Sequence, residues 1–432
     1  MPEDTTRKAA SADLTDSEHG NANLDSSFYY ISSRAARELP LFQYNGEDRS
    51  LIYKYILSPL ASFCVDHLTP LSLAPNTITL SGLMLMILAY CAMWCYAPTL
   101  ESQKDPPRWV FLLNAIAILL YQTLDNMDGK QARRTGSSSP LGLLFDHGCD
   151  AVNSLFGSAN WIVAMALNPL HDVSLCFVIL FGPYALFYVG TWEEYHTGKL
   201  ILPIVNGPNE GLIGGALMSL TSYMYGPTFW LQNNWWSEVL APLLTPILPS
   251  FLLTILPESG LRNADLLVLA SSVGFFQEIS FKILHLLQLY GAHVLIRLLP
   301  FATLCVCTLA VGFMDLSVWL NSPRISLHLC ATLFVEMTTD LMLSHMTKEP
   351  YKFFRWPLLP LVAFAIAICT GWLRSGEETE TFLSAYSSAV FTYFCMKVTI
   401  QIHEICCLLN ISCFSIAPSG RRQAINGHVK ST

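Results

Sequence analysis

Long apolar stretches follow one another along the chain, and the short polar segments between them contain most of the charged residues. Many of these stretches exceed about 18 residues, the length that favours a membrane-spanning helix. A backbone in the hydrocarbon core must satisfy its own hydrogen bonds, which a helix does. The pattern predicts an all-α, polytopic membrane protein with ten spans, at about 77–97, 109–132, 140–167, 174–194, 211–230, 265–289, 293–313, 325–346, 355–373 and 382–409.

The segments outside the spans differ in character. Residues 1–27 are rich in Ser, Asp and Asn, and we assign residues 1–45 to a polar, disordered tail. Residues 46–70 mix apolar and polar positions and predict an amphipathic helix on the membrane surface, with a helix packed on a soluble loop as the alternative. The transmembrane domain then covers residues 71–410, and residues 411–432 form a second tail.

Residues 239–256 are apolar as well, but they contain several prolines, which argue against a regular helix. We expect a re-entrant or surface element there. An eleventh span is the alternative, and it would place the two tails on opposite sides of the membrane.

The composition agrees with a membrane protein, since 52% of the residues are hydrophobic and 13% are charged. The net charge of −8 and the absence of a basic surface argue against nucleic-acid binding. The 13 cysteines show no CxxC spacing, so neither zinc nor a disulfide framework is predicted.

The distribution of basic residues predicts the orientation, because cytosolic loops are enriched in Lys and Arg. With ten spans, one side receives both tails and the larger share of the basic residues, namely Lys130, Arg133, Arg134, Lys199, Arg297 and the Lys348–Arg355 cluster. The other side receives Lys104, Arg108, Arg262, Arg324 and Arg374. The first side is therefore expected to be cytosolic.

The most informative polar stretch is DNMDGKQARRTGSSSPLGLLFDHGCD, at residues 125–150, where two predicted spans nearly meet. Carboxylates in or near a bilayer are costly and mark functional sites. Helical spacing gathers acids and small residues into two stripes: Asp125, Asp128, Gly129 and Ala132 on the first helix, and Gly142, Asp146 and Asp150 on the second. A short turn before Pro140 lets the helices run antiparallel, so the carboxylates converge. All-oxygen ligands favour magnesium, manganese or calcium.

The pattern Asp125-x2-Asp128-Gly129-x2-Ala132-Arg133-x8-Gly142-x3-Asp146-x3-Asp150 resembles the signature of the CDP-alcohol phosphotransferases without a departure. The surrounding text is similar to the eukaryotic choline/ethanolamine branch. The resemblance implies a transferase that moves phosphocholine or phosphoethanolamine from CDP-choline or CDP-ethanolamine to diacylglycerol and releases CMP. It also implies two Mg²⁺ or Mn²⁺ ions, an endoplasmic reticulum or Golgi membrane, and a homodimer.

The same resemblance suggests roles for the residues of the motif. The metal ligands would be Asp125, Asp128, Asp146 and Asp150. Gly129, Ala132 and Gly142 would leave room for the substrate, and Arg133 would bind its phosphates. Arg134 is expected to face headgroups or solvent. In the Pro-Asn-x-x-Thr element, Asn76 and Thr79 either contact the CDP group or cap the first span.

The acceptor hydroxyl needs a general base, and two residues are candidates. Asp150 is the base that the wider family implies. His147 has the better-matched pKa, and the resemblance implies that Glu210 in PIVNGPNEGL orients it. We favour His147 with Glu210 and leave Asp150 as a metal ligand. A helix N-terminal acid is the alternative role for Glu210.

The segment Trp192–His196 ends the fourth span and offers groups for an aminoalcohol. Trp192 and Tyr195 could form an aromatic cage, although such residues at span ends are more often interfacial, so neither is assigned to the site. Two other functions were weighed. A CDP-diacylglycerol-dependent phosphatidyltransferase is typically shorter, and a transporter or inactive scaffold would not need the intact motif.

Overall fold

The protein is described here by a computed structural model that covers residues 28–101, 106–247 and 259–416, together with residues 249, 256 and 257. Residues 1–27 and 417–432 of the predicted tails lie outside the described residues. The described residues of the first half of the chain form seven helices, α1 (Ser33–Glu38), α2 (Ser58–His67), α3 (Pro75–Tyr96), α4 (Arg108–Thr135), α5 (Pro140–Ala164), α6 (Val173–Thr197) and α7 (Leu212–Tyr225).

The second half of the described chain is equally helical. Its helices are α8 (Ala241–Leu244), α9 (Asn263–Tyr290), α10 (Leu299–Met314), α11 (Ser317–Leu320), α12 (Pro323–Met346), α13 (Leu359–Cys369) and α14 (Glu377–Leu409). Short 3-10 or π turns join several of them, at Leu39–Leu41, Tyr53–Leu57, Gly207–Gly211, Pro227–Leu231, Trp235–Leu240, Ala292–Leu298 and Trp356–Leu358. The predicted all-α class is confirmed.

Six helices of the described chain are long and apolar enough to cross a bilayer, namely Pro75–Tyr96, Arg108–Thr135, Val173–Thr197, Asn263–Tyr290, Ala292–Met314 and Pro323–Met346. They identify an integral membrane protein. The four other predicted spans coincide with α5, α7, α13 and α14. The count of ten spans stays a prediction, and so does the surface or re-entrant element at 239–256, of which the structure describes α8 and a few further residues.

The turn between α4 and α5 sets the geometry of the aspartate motif. Gly136 ends α4 with a positive φ of 64°, which a glycine adopts without strain. Ser139 then caps α5, because its side chain accepts a hydrogen bond of 3.1 Å from the backbone N–H of Gly142. Pro140 occupies the first helical position, where its missing N–H costs nothing. The chain therefore reverses within a few residues, as the sequence predicted.

Residues 28–45 are packed against the last helix, although the sequence analysis placed them in a disordered tail. The carboxylate of Glu404 accepts hydrogen bonds from the backbone N–H groups of Tyr30, at 2.9 Å, and Ile31, at 3.0 Å. Leu39 is completely buried. The local composition could not reveal this packing, because Ile31 and Glu404 are 373 residues apart in the sequence.

Two short strands, which the sequence analysis did not predict, hold the N-terminal segment beside the connection between α6 and α7. Strand β1 (Gly46–Asp48) pairs in parallel with β2 (Leu200–Leu202). Outside the spans, Glu47 binds Arg49 at 2.7 Å and Lys199 at 2.5 Å. These hydrogen bonds lower the pKa of Glu47 to about 2, so its carboxylate is ionised and already paired at neutral pH.

Helix α2 lies in the segment that was predicted to form a surface helix. It buries Ala61 and Val65 and exposes Phe63. Its last turn is held by Arg134, whose guanidinium donates to the carbonyl oxygens of Val65, at 2.6 Å, and Thr69, at 2.8 Å. Arg134 therefore satisfies the end of a helix, and it is itself exposed, as expected for a residue that faces headgroups or solvent. The position of α2 on a membrane surface stays a prediction.

Four charged side chains inside the helical bundle pair with one another. Arg355 and Lys397 together contact Glu336 and Asp340, and the Lys397 ammonium lies 2.8 Å from Glu336 and 2.5 Å from Asp340. The four charges cancel, as buried ion pairs require. The cluster joins α12, α14 and the loop before α13. An acid of the bundle that has no cationic partner therefore differs from this cluster and is a candidate ligand site.

Candidate active site

Three aspartates from α4 and α5 meet in the space between these helices. One carboxylate oxygen of each residue, Asp125, Asp146 and Asp150, lies within 4.8 Å of the other two. The fourth aspartate of the motif, Asp128, is 6% exposed, and its carboxyl group contacts that of Asp146. The predicted convergence of the two stripes is therefore present in the structure.

Two hydroxyl groups orient these aspartates. Thr79 on α3 donates from Oγ1 to Oδ2 of Asp128. Tyr121, one helical turn before Asp125, donates from its phenol to Oδ1 of Asp150. Each bond uses one oxygen of a carboxylate and leaves the other free for a ligand. Thr79 and Tyr121 are therefore positioning residues of the cluster.

The donor set fits a divalent metal ion. Four carboxylates in a small volume repel one another unless cations offset their charge. In addition, Oδ1 of Asp146 is buried and has no hydrogen-bond partner among the described residues. A buried acceptor without a partner is costly, and a hard cation would satisfy it. Carboxylate oxygens at this spacing are ligands that magnesium and manganese prefer.

The small residues of the motif let polar side chains approach the two helices closely. A Cβ added at Gly129 would lie 3.5 Å from the guanidinium of Arg133, so the arginine folds back over this glycine. A Cβ at Gly142 would lie 3.6 Å from Oδ1 of Asn76. Ala132 lies one turn after Asp128 and is partly buried. The guanidinium of Arg133 has no ion pair in the described part of the chain and is free to bind an anion.

Neither Asn76 nor Thr79 caps α3, which was one of their two predicted roles. The N-cap residue is Ala74, and it makes no side-chain cap bond. Asn76 donates from Nδ2 to the carbonyl oxygen of Cys413 at 2.9 Å, across 337 residues. Its Oδ1 faces Gly142 at the site. The other role, contact with CDP, stays a prediction for both residues.

His147 lies next to the cluster, on the side where α6 approaches. Its ring packs edge-on against Tyr44, at 6.3 Å between centroids, and against Phe187, at 6.4 Å. The charge of Asp150 acts on the imidazole. The structure therefore places the predicted base close to Asp150, the alternative base, and surrounds it with two aromatic rings.

Glu210 makes different contacts from those predicted. Its carboxylate accepts a 2.5 Å bond from the Ser50 hydroxyl and a 2.9 Å bond from the backbone N–H of Asn206. No hydrogen bond between Glu210 and His147 is present among the described residues. The two oxygens of Glu210 are occupied by the N-terminal segment and by its own loop, and the predicted pairing with His147 is not formed. Glu210 instead fixes the N-terminal segment near the site.

Several residues of the site were missed by the sequence analysis. Tyr121 could have been found, because it precedes Asp125 by one helical turn and shares its stripe. Tyr44 and Ser50 could not, since both come from the N-terminal segment, whose folding over the motif depends on the pairing of β1 with β2. Gln122 was missed as well, and its amide donates to the carbonyl oxygens of Pro208 and Asn209, at 2.8 and 2.9 Å, so that it holds the Glu210 loop.

Comparison with known proteins agrees with this geometry. Residues 72–195 match the family described as CDP-alcohol phosphatidyltransferase. A Dictyostelium discoideum protein named as an uncharacterized CDP-alcohol phosphatidyltransferase class-I family protein 3 is 31% identical over 404 residues, which cover 89% of this chain and 98% of that protein. Choline/ethanolaminephosphotransferase 2 of Arabidopsis thaliana is 32% identical over 90% of this chain and 98% of its own.

Over about half of the chain the similarity is higher still. Choline/ethanolaminephosphotransferase 1 of Arabidopsis thaliana is 41% identical over 215 residues, which cover 49% of this chain and 51% of that protein. The family match begins at α3 and ends within α6, so it includes every aspartate of the cluster. With relatives that match over almost their whole length and a motif whose acids converge, the chain belongs to the CDP-alcohol phosphatidyltransferase family of transferases.

Proposed function

We propose that the protein transfers phosphocholine or phosphoethanolamine from the CDP-aminoalcohol to diacylglycerol and releases CMP. The observation that supports this most is the convergence of Asp125, Asp146 and Asp150 around a buried acceptor oxygen that has no partner. Relatives that match this chain are named choline/ethanolaminephosphotransferases, which supports this substrate class. No contact in the described structure favours a CDP-diacylglycerol donor, a transporter or a scaffold.

The cluster would hold two divalent cations, Mg²⁺ or Mn²⁺. Asp125, Asp128 and Asp146 supply ligands, and Asp150 completes the second set. When bound, these ions neutralise the pyrophosphate of the donor and stabilise the charge that develops on the departing CMP. The chain's own residues prepare this arrangement, because Thr79 and Tyr121 fix the orientation of Asp128 and Asp150 before any ligand arrives.

The transfer itself is a substitution at the distal phosphorus of the donor. The hydroxyl oxygen of diacylglycerol forms a bond to this phosphorus, and the bond between the phosphorus and the bridging oxygen breaks. CMP leaves with that oxygen and its electron pair. The hydroxyl proton passes to His147, which the rings of Tyr44 and Phe187 shield from bulk water. Asp150 is the alternative base.

Arg133 would bind the phosphates of the donor through its planar guanidinium. We expect Arg133→Gln to raise the KM for CDP-choline by about tenfold to a hundredfold, the usual effect of losing a hydrogen bond to a charged group. The thermal midpoint of the purified protein should not change, because Arg133 is exposed and has no ion pair in the described part of the chain. Steady-state kinetics and a thermal unfolding scan measure the two quantities.

Arg134→Gln is the matched control for Arg133. The neighbouring arginine loses its bonds to the carbonyls of Val65 and Thr69, so the thermal midpoint should fall. The KM of the folded fraction should stay within about twofold, as for a residue outside the binding site. The assignment of Arg133 to phosphate binding would be wrong if both variants changed KM equally.

The surroundings of the reaction follow from the charge distribution and from the resemblance. We propose that the motif and both tails face the cytosol, where soluble CDP-alcohols occur, and that the chain crosses the membrane ten times. We further propose an endoplasmic reticulum or Golgi membrane and a homodimer. A map of protease-accessible sites in sealed microsomes tests the orientation, and tails on opposite sides would contradict the ten-span count.

The function is tested with the purified full-length protein, diacylglycerol, Mg²⁺ and each CDP-aminoalcohol, with CMP release as the readout. We expect CMP to form together with phosphatidylcholine or phosphatidylethanolamine, and to stop on complete chelation of the metal. A CDP-diacylglycerol donor with inositol or glycerol phosphate is the control reaction. Turnover of the control donor alone would replace the proposed function, and turnover that survives chelation would exclude the metal mechanism.

A further inference from the structure

One buried acid near the cluster has no cation. Glu194 on α6 is 3% exposed, and no hydrogen bond to its carboxylate is present among the described residues. Nε2 of His345 lies 3.8 Å from it, which is too long for a hydrogen bond, and Lys282 acts on it only through its charge. The neighbouring Glu193 is different, because Lys282 lies 2.5 Å from it. A buried carboxylate without a partner is costly, and a cationic ligand would complete it.

The face of α6 that carries Glu194 points towards the site. Phe187, Gly190 and Glu194 lie within one stripe of the helix, because they are separated by three and four residues. Phe187 already contacts the ring of His147. Gly190 is buried, yet a Cβ added there would meet no described atom within 4 Å beyond its own stretch of helix. A cavity therefore lies between the ring of Phe187 and the carboxylate of Glu194.

The N-terminal segment supplies the other wall of this cavity. Tyr44 packs against His147, and 51% of its surface is exposed, so its ring remains available to a ligand beside the imidazole. Burial, and after it the charges of Glu194 and Asp146, raise the pKa of Tyr44. Phe42 packs on His345 from the same segment, with 5.6 Å between ring centroids.

The other aromatic residues at this end of α6 form hydrogen bonds with other parts of the protein. The indole of Trp192 donates to the carbonyl oxygen of Val294 at 3.2 Å, and the side chain is completely buried. The phenol of Tyr195 donates to the carbonyl oxygen of Glu349 at 3.0 Å. The cage of Trp192 and Tyr195 that was considered from the sequence is therefore not available to a ligand.

We infer that Glu194, Gly190, Phe187 and Tyr44 form the pocket that receives the ammonium group of the CDP-aminoalcohol. The inference rests on the proposed function and adds a specificity determinant to it. The carboxylate compensates the positive charge, the aromatic faces bind the cation, and the missing side chain at Gly190 leaves space for the methyl groups of a quaternary ammonium. Because the charge is common to choline and ethanolamine, the pocket selects aminoalcohols as a class.

The test compares CDP-choline, CDP-ethanolamine and CDP-3,3-dimethylbutanol, a neutral donor in which carbon replaces the choline nitrogen. Wild-type protein should turn over CDP-choline with a kcat/KM about tenfold or more above that of the neutral donor. Only CDP-choline carries the positively charged ammonium group that can pair with the carboxylate of Glu194. In Glu194→Gln, the KM for both charged donors should rise about tenfold while the neutral donor stays within about twofold.

Two further variants complete the experiment. Glu378→Gln removes one negative charge from an exposed position in the first turn of α14, a helix that contributes no residue to the pocket, and it should leave all three donors unchanged. Gly190→Leu fills the cavity and should raise the KM for CDP-choline more than that for CDP-ethanolamine, and it carries the test if Glu194→Gln does not fold. An equal effect of Glu194→Gln on the charged and neutral donors, or equal wild-type use of CDP-choline and the neutral donor, overturns the pocket while the proposed function stands. If the wild type releases CMP from none of the three donors, both fall.

Discussion

Asp146→Asn is expected to abolish turnover, with kcat/KM lower by about a thousandfold or more, since about 4 kcal/mol of transition-state stabilisation depends on the metal ligands. Asp146 contributes the buried oxygen without a partner and contacts the carboxyl of Asp128. The substitution keeps the size of the side chain and removes the charge. Binding of Mn²⁺, measured by electron paramagnetic resonance, should weaken in parallel.

The stability of the same variant separates loss of a ligand from loss of the fold. The carboxylates of the cluster repel one another in the absence of cations, and Asp146→Asn removes one of the charges. The thermal midpoint in the presence of a chelator should therefore not fall. Asp66→Asn, an exposed aspartate on α2, is the control and should retain full activity. If Asp146→Asn kept more than a tenth of the wild-type rate, Asp146 would not be an essential ligand.

His147→Ala is expected to lower kcat by about a hundredfold to ten-thousandfold, the range that general-base catalysis contributes. The KM for the CDP-aminoalcohol should change little, because the proposed contacts to the donor come from the aspartates, Arg133 and the ammonium pocket. A base must be unprotonated to act, so the wild-type rate should fall as the pH is lowered. This acidic limb should be absent from the pH profile of His147→Ala.

Asp150→Asn distinguishes the two candidate bases. Its carboxylate accepts a hydrogen bond from Tyr121 and lies among the proposed metal ligands. We therefore expect this variant to lose Mn²⁺ affinity and to keep the acidic limb in whatever activity remains. His67→Ala, an exposed histidine on α2, is the control and should be silent. If His147→Ala left the rate intact, the role of general base would return to Asp150.

The aspartate motif was predictable because its geometry is local. Helical spacing places Asp125 and Asp128 on one stripe and Asp146 and Asp150 on another, and the turn at Gly136 and Pro140 brings the stripes face to face. The predicted pairing of His147 with Glu210 is not formed, and its geometry is not local. It depended on two segments whose approach no local pattern describes, and Ser50 and Asn206 occupy the carboxylate instead.

The sequence by itself determined the helical membrane architecture, the convergence of the acids and the family, because apolar length and residue spacing are properties of neighbouring positions. Only the tertiary structure decided which partners those residues have. The pairing of β1 with β2 brings Tyr44 and Ser50 to the site, Glu404 holds the backbone of Tyr30, and Arg134 ends α2. The packing of the helices also places Lys282 in an ion pair with Glu193 and leaves Glu194 buried without a cationic partner. Such choices depend on which helices touch, and side chains far apart in the chain meet only after the helices have packed.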